Sequence, residues 1–142
     1  MNSQNQPAQA TTKRQARELA LQILFQTEFH SPVSLEDLLG LFEDRVAAEV
    51  IQYTNLIVLG VNQNKDLLDQ AIQAASQHWK LGRMSMVDRN IIRVALFEMK
   101  YSSEPLKPSI AINEAIEIAK KYGSTESSAF VNGILDQLSK GV

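Results

Sequence analysis

Ser85-Met86-Val87-Asp88-Arg89-Asn90-Ile91-Ile92-Arg93-Val94-Ala95-Leu96-Phe97-Glu98-Met99 is the stretch that decides the fold. From Val87 onward its apolar residues cover most of a helix circumference. Arg89, Asn90, Arg93 and Glu98 are the polar remainder. A helix that apolar belongs in the middle of other helices. Ser85-x-x-Asp88 marks its start, with a side chain able to cap the first turn.

Upstream, Val46 to Ser76 contains no proline. Its first half holds Val50, Ile51, Tyr53, Leu56, Ile57 and Leu59, and its second half holds Leu67, Leu68, Ala71, Ile72 and Ala75 at helical spacing. Asn62-Gln63-Asn64 after Gly60 predicts a break between two helices. Taken alone, Leu56 to Val61 also fits a buried strand, but no strand partner is visible elsewhere, so helix is preferred. Downstream, Ser102-Ser103-Glu104-Pro105 and Pro108 form a loop, and Ser109 is the expected cap of the next helix. That helix holds Glu114 and Glu117, read as first-turn charges, and ends at Lys120-Lys121-Tyr122-Gly123. Late lysines complement the negative helix end, and Gly123 suits a left-handed position just past it. A last helix from about Thr125 to Ser139 carries Val131, Ile134, Leu135 and Leu138 on one side.

At the N-terminal end, a helix is expected from about Thr12 to His30, with Ala16, Leu19, Ala20, Ile23 and Thr27 as its core stripe. Ser31-Pro32 ends it. Ser34-x-x-Asp37 then starts a short helix reaching about Asp44. Residues 1–11, polar and containing Pro7, read as a disordered tail. The expected fold is all-α, a compact single-domain bundle of about six to seven helices over residues 12–142.

Composition bounds the chemistry. The 142 residues include no cysteine and only two histidines, His30 and His78. Disulfides and thiol catalysis are therefore excluded, and a histidine-based hydrolase or metal site has little to work with. His78-Trp79, near Lys80 and Arg83, reads as a helix-end packing cluster. No apolar run suggests a membrane span and no signal peptide is visible, so a cytoplasmic protein is expected. The net charge of −2 is unlike that of a basic nucleic-acid binder. It is segregated, however. Residues 1–17 carry Lys13, Arg14 and Arg17 with no acid. Residues 18–79 carry nine acids against Arg45 and Lys65, and residues 80–142 carry nine bases against seven acids. Such asymmetry reports on partners more than the total does.

Four segments resemble the NusB family of bacterial transcription antitermination factors. They are Ala16-Arg17-Glu18 with Ala20, Gln22 and Leu24-Phe25; Asp88 through Met99; Ala111-Ile112-Asn113-Glu114-Ala115-Ile116-Glu117-Ile118-Ala119-Lys120 with Tyr122-Gly123; and Phe130-Val131-Asn132-Gly133-Ile134-Leu135-Asp136. The resemblance covers roughly residues 12–138. It implies a compact all-helical RNA-binding protein with no enzymatic activity; no cofactor or metal is expected. Such proteins bind the boxA element of nascent ribosomal RNA leaders together with NusE, a ribosomal small-subunit protein. The pair joins other Nus factors on RNA polymerase, suppresses premature termination and supports rRNA maturation. The alternative is an RNA-binding accessory module related to the N-terminal domain of rRNA cytosine methyltransferases, although no G-x-G-x-x-G loop is present.

Lys13, Arg14 and Arg17 fall within a ~100° sector of a helix wheel. They are either a solvated helix start or, as the resemblance implies, the segment that meets RNA phosphates. Three such contacts would give a log–log salt slope of only about −2 on single-stranded RNA. Phe130 is either a flanking core aromatic or a stacking platform for an unpaired base. The resemblance sets Glu126 and Ser127 beside it as further RNA contacts. Phe25 and Phe29 form a second apolar edge on the first helix, for packing or for a partner. The resemblance sets the ribosomal-protein partner against the first and central helices, so it implies Gln22, Phe25, Arg83 and Asp88 as partner contacts. A monomer or a homodimer is expected.

Overall fold

The computed structural model describes residues 5–29, 35–41, 45–77 and 80–140. In chain order it contains α1 (Asn5–Thr27), α2 (Leu35–Gly40), α3 (Ala48–Gln63), α4 (Lys65–Ala75), α5 (Met86–Leu96), α6 (Pro108–Tyr122) and α7 (Ser127–Ser139). A 3-10 turn at Leu81–Arg83 precedes α5, and a π-helical turn at Phe97–Tyr101 follows it. No strand occurs among the described residues, and the stretch Leu56 to Val61 lies inside α3. The fold is all-α. No described helix is long and apolar enough to cross a membrane.

The chain divides into two compact units, Met1–Leu59 and Gly60–Val142. In the first, α1 begins at Asn5, seven residues before the expected start at Thr12. It buries Ala16, Leu19, Ala20, Leu21, Ile23 and Leu24. Thr27, expected in the core stripe, is exposed instead, and its hydroxyl donates to the Leu24 carbonyl oxygen at 2.8 Å. Thr54 of α3 is fully buried. Its hydroxyl donates to the Val50 carbonyl oxygen (2.7 Å), with the Ala16 carbonyl oxygen of α1 at 3.2 Å. A hydroxyl in this interior needs such a partner, and one on another helix fixes register. Ser34, the expected cap of α2, and His30 lie outside the described residues.

In the second unit α5 is central, as its composition predicts. It packs against α4, α6 and α7, and α6 and α7 pack against each other. Every residue from Asn90 to Met99 is buried. Ser85 caps α5 by accepting a hydrogen bond from the Asp88 amide at 3.0 Å. Beyond Leu96 the turn widens, and the Ser102 amide reaches the Phe97 carbonyl oxygen five residues back at 2.9 Å. Buried Arg93 is neutralised in place by Asp69 of α4. Its Nε donates to Oδ1 at 2.7 Å and its Nη2 to Oδ2 at 3.0 Å. Nη1 donates to Asn90 Oδ1 at 3.0 Å, and Asn90 Nδ2 donates to the Met86 carbonyl oxygen at 2.9 Å. This two-pronged fork ties α4 to α5.

Three details differ from expectation. Pro108 occupies the first helical positions of α6 and Lys107 its N-cap, so Ser109 lies inside the helix. Proline fits there because its missing N–H would have had no helical partner. Glu114 and Glu117 are not in the first turn of α6, and Glu117 instead meets Lys120 at 3.5 Å on the exposed face. Gly123 is extended (φ −93°, ψ −173°), not left-handed. Its requirement is steric, because a Cβ there would run into the Ser127 side chain and the Ala119 carbonyl oxygen.

Candidate nucleic-acid interface

The basic start of the sequence lies on α1, within the first unit. Lys13 and Arg14 are exposed. Arg17 is only 4% exposed and presents almost no surface to a ligand. Helical geometry sets the difference. Arg17 is adjacent to Ala16, which faces the interior, and it is one turn beyond Lys13. Tyr53 of α3 meets both cations. Lys13 Nζ lies 5.5 Å and Arg17 Cζ 5.8 Å from the centroid of its ring. Both distances are within the range of cation–π attraction. In the sequence Tyr53 is one more apolar residue of a helical stretch. Its pairing with two bases some 40 positions away leaves no local signal.

The second cluster opens α7, within the second unit. Glu126 is exposed and Phe130 is half-buried. Ser127 is 2% exposed, and its hydroxyl closes the turn by accepting from the Ser124 amide at 2.9 Å. It therefore holds the loop that carries Glu126 and offers little surface of its own. Phe130 bonds back through its amide to the Glu126 carbonyl oxygen at 3.1 Å, so the two are one helical turn apart. Half-burial suits an aromatic ring seated on the core with one part available for stacking.

The expected partner contacts fall into two places. On α1, Gln22 is exposed and Phe25 is half-buried. The Phe25 ring meets Phe29 edge-on, with centroids 5.1 Å apart and an interplanar angle of 68°. Phe29 remains 56% exposed. At the start of α5, Arg83 is exposed on the 3-10 turn. That turn is held from two sides. Gln73 Oε1 accepts from the Leu81 amide at 2.7 Å, and Arg89 Nη1 donates to the Leu81 carbonyl oxygen at 3.2 Å. Asp88 is 9% exposed, and its Oδ1 has no hydrogen-bond partner among the described residues. Its negative charge is favourable in the first turn of α5. His78 and Trp79 lie outside the described residues.

These features define an all-α protein with an exposed basic helix and a half-exposed aromatic beside a short loop. The chain belongs to the NusB family, whose model matches residues 14–140. The transcription antitermination protein NusB of Bdellovibrio bacteriovorus is 56% identical over 130 residues, covering 92% of this chain and 96% of that one. The solved structure of T. maritima NusB matches with a TM-score of 0.81 at 33% identity, covering 90% of each chain. A structure of antitermination factors NusB and NusE in complex with dsRNA matches in fold, with a TM-score of 0.77 at 21% identity. That match covers 93% of this chain and 98% of the other.

Proposed function

We propose that this chain is a transcription antitermination factor of the cytoplasm. It binds boxA-like single-stranded RNA in nascent rRNA leaders jointly with NusE, and through that pair reaches other Nus factors and RNA polymerase. It acts by assembly, making and breaking no covalent bond. Membership of the NusB family, at 56% identity to a transcription antitermination protein, carries the reading. A structural relative solved as NusB and NusE in complex with dsRNA supports a joint partnership with NusE and RNA.

Within residues 12–142 the labour is divided. Lys13 and Arg14, both exposed, contact phosphates. Glu126 accepts a hydrogen bond from a base amino group, and Phe130 stacks on an unpaired base. Arg17 and Ser127 support these contacts from beneath. Gln22 and Phe25 on α1, and Arg83 and Asp88 at the start of α5, meet the protein partner. The buried Asp88 oxygen without a partner among the described residues fits a donor supplied by that protein. Fluorescence anisotropy of a labelled boxA RNA, titrated with and without NusE, tests the proposal. Tighter binding with NusE present, lost on a scrambled RNA, is expected. Affinity indifferent to both partner and sequence would refute it.

A further inference from the structure

We infer that Tyr53 is a positioning residue for RNA binding, holding Lys13 in place for a phosphate contact with Arg17 fixed beneath it. The inference rests on the proposed RNA-binding function and adds a residue on a second helix to it. Three observations carry it. Lys13 and Arg17 are four apart on α1, where like charges repel. Both nevertheless approach one ring, at 5.5 and 5.8 Å, and the negative ring face attracts each. The residues next to this pair are locked as well, because buried Thr54, adjacent to Tyr53, lies 3.2 Å from the carbonyl oxygen of Ala16, adjacent to Arg17. The ring is therefore held in register against the two cations by its own backbone neighbours.

The two cations then differ in role. Arg17 is 4% exposed and stays in the interior, where a guanidinium requires partners. Lys13 is exposed, so an ammonium resting on the ring keeps a side open for an anion. A lysine in solution samples many rotamers, and fixing it costs affinity on binding. A ring that restricts those rotamers beforehand lowers that cost. The seat also fits a diluted basic segment, in which two exposed bases, Lys13 and Arg14, must serve.

The test compares Tyr53→Leu and Tyr53→Phe with a Lys13→Glu/Arg14→Glu control, using boxA RNA and NusE over a salt series. Thermal denaturation is run on each variant. Tyr53→Leu is expected to weaken binding ~2–5-fold and to flatten the salt dependence, whereas Tyr53→Phe, which keeps the ring, retains wild-type affinity and slope. If the control weakens binding but Tyr53→Leu matches wild type, or Tyr53→Phe falls with it, the positioning role is overturned while RNA binding stands. If the control leaves binding unchanged, Lys13 and Arg14 make no phosphate contact and the positioning role fails, whereas the proposed function fails only if affinity is also indifferent to NusE and to RNA sequence. NMR of the wild-type protein covers the case in which Tyr53→Leu does not fold. The Lys13 ε-methylene protons are expected to be ring-shifted in the free protein and to remain so on RNA addition. Protons at the ordinary lysine position in the free protein, or returning to it with RNA, overturn the inference.

Discussion

Replacing Asp69 with Ala removes the carboxylate that holds the Arg93 guanidinium through two hydrogen bonds, of 2.7 and 3.0 Å. The Arg93 side chain is 5% exposed and that of Asp69 is 22% exposed. The cation therefore stays buried with Asn90 Oδ1 as the remaining acceptor among those described above. Breaking a buried pair from one side costs ~3–5 kcal/mol. Water can enter where Asp69 was partly exposed, which places the expected loss near ~3 kcal/mol. For a chain of this size that lowers Tm by ~6–12 °C. Urea unfolding measures it as a lower midpoint with an unchanged slope. The Asp69→Leu/Arg93→Met double variant removes both charges. It should recover about half of the loss, because Asn90 Oδ1 then lacks its donor, at a cost of ~1–3 kcal/mol. An Asp69→Ala loss below ~1 kcal/mol, or a double variant no more stable than Asp69→Ala, would refute the clamp between α4 and α5.

Two further outcomes follow from local geometry. A Cβ at Gly60 would run into the Phe97 ring, so Gly60→Ala should cost ~1–3 kcal/mol in thermal unfolding, and adding Phe97→Leu should restore part of it. Phe130→Leu keeps an apolar side chain on half-buried α7 but removes the aromatic face. It should weaken boxA RNA by ~1–3 kcal/mol in anisotropy while Tm changes little.

Local chemistry made the helices legible. Ser85 caps α5 as its spacing from Asp88 predicts. The break at residues 62–64 appears as Asn64 between α3 and α4, where its Nδ2 bonds the Gly60 carbonyl oxygen at 2.8 Å. The apolar girth of 87–99 correctly marked the central helix. Local rules misplaced the cap of α6 because two signals competed within two residues, and Pro108 at the helix start prevailed over Ser109. Gly123 after the last lysines signals backbone freedom, but its role is close approach, which depends on Ser127 folding back against it. The pairings that matter most were invisible for a single reason. Asp69 with Arg93, and Tyr53 with Lys13 and Arg17, join residues distant in sequence. Arg93 and Arg17 carry the same side chain as exposed Arg14, so only tertiary structure separates buried cations from the exposed one. At the candidate site, sequence placed the basic segment and the aromatic on their helices. It could not tell that Arg17 and Ser127 lie beneath the surface.

The most direct measurement is the salt dependence of boxA RNA affinity, with NusE present, for wild type and Lys13→Glu/Arg14→Glu. If these two exposed bases contact phosphates, the variant binds more weakly and its log–log slope is shallower by ~1.4, at ~0.7 per contact on a single strand. Equal affinities and parallel slopes would contradict RNA binding through the basic face of α1.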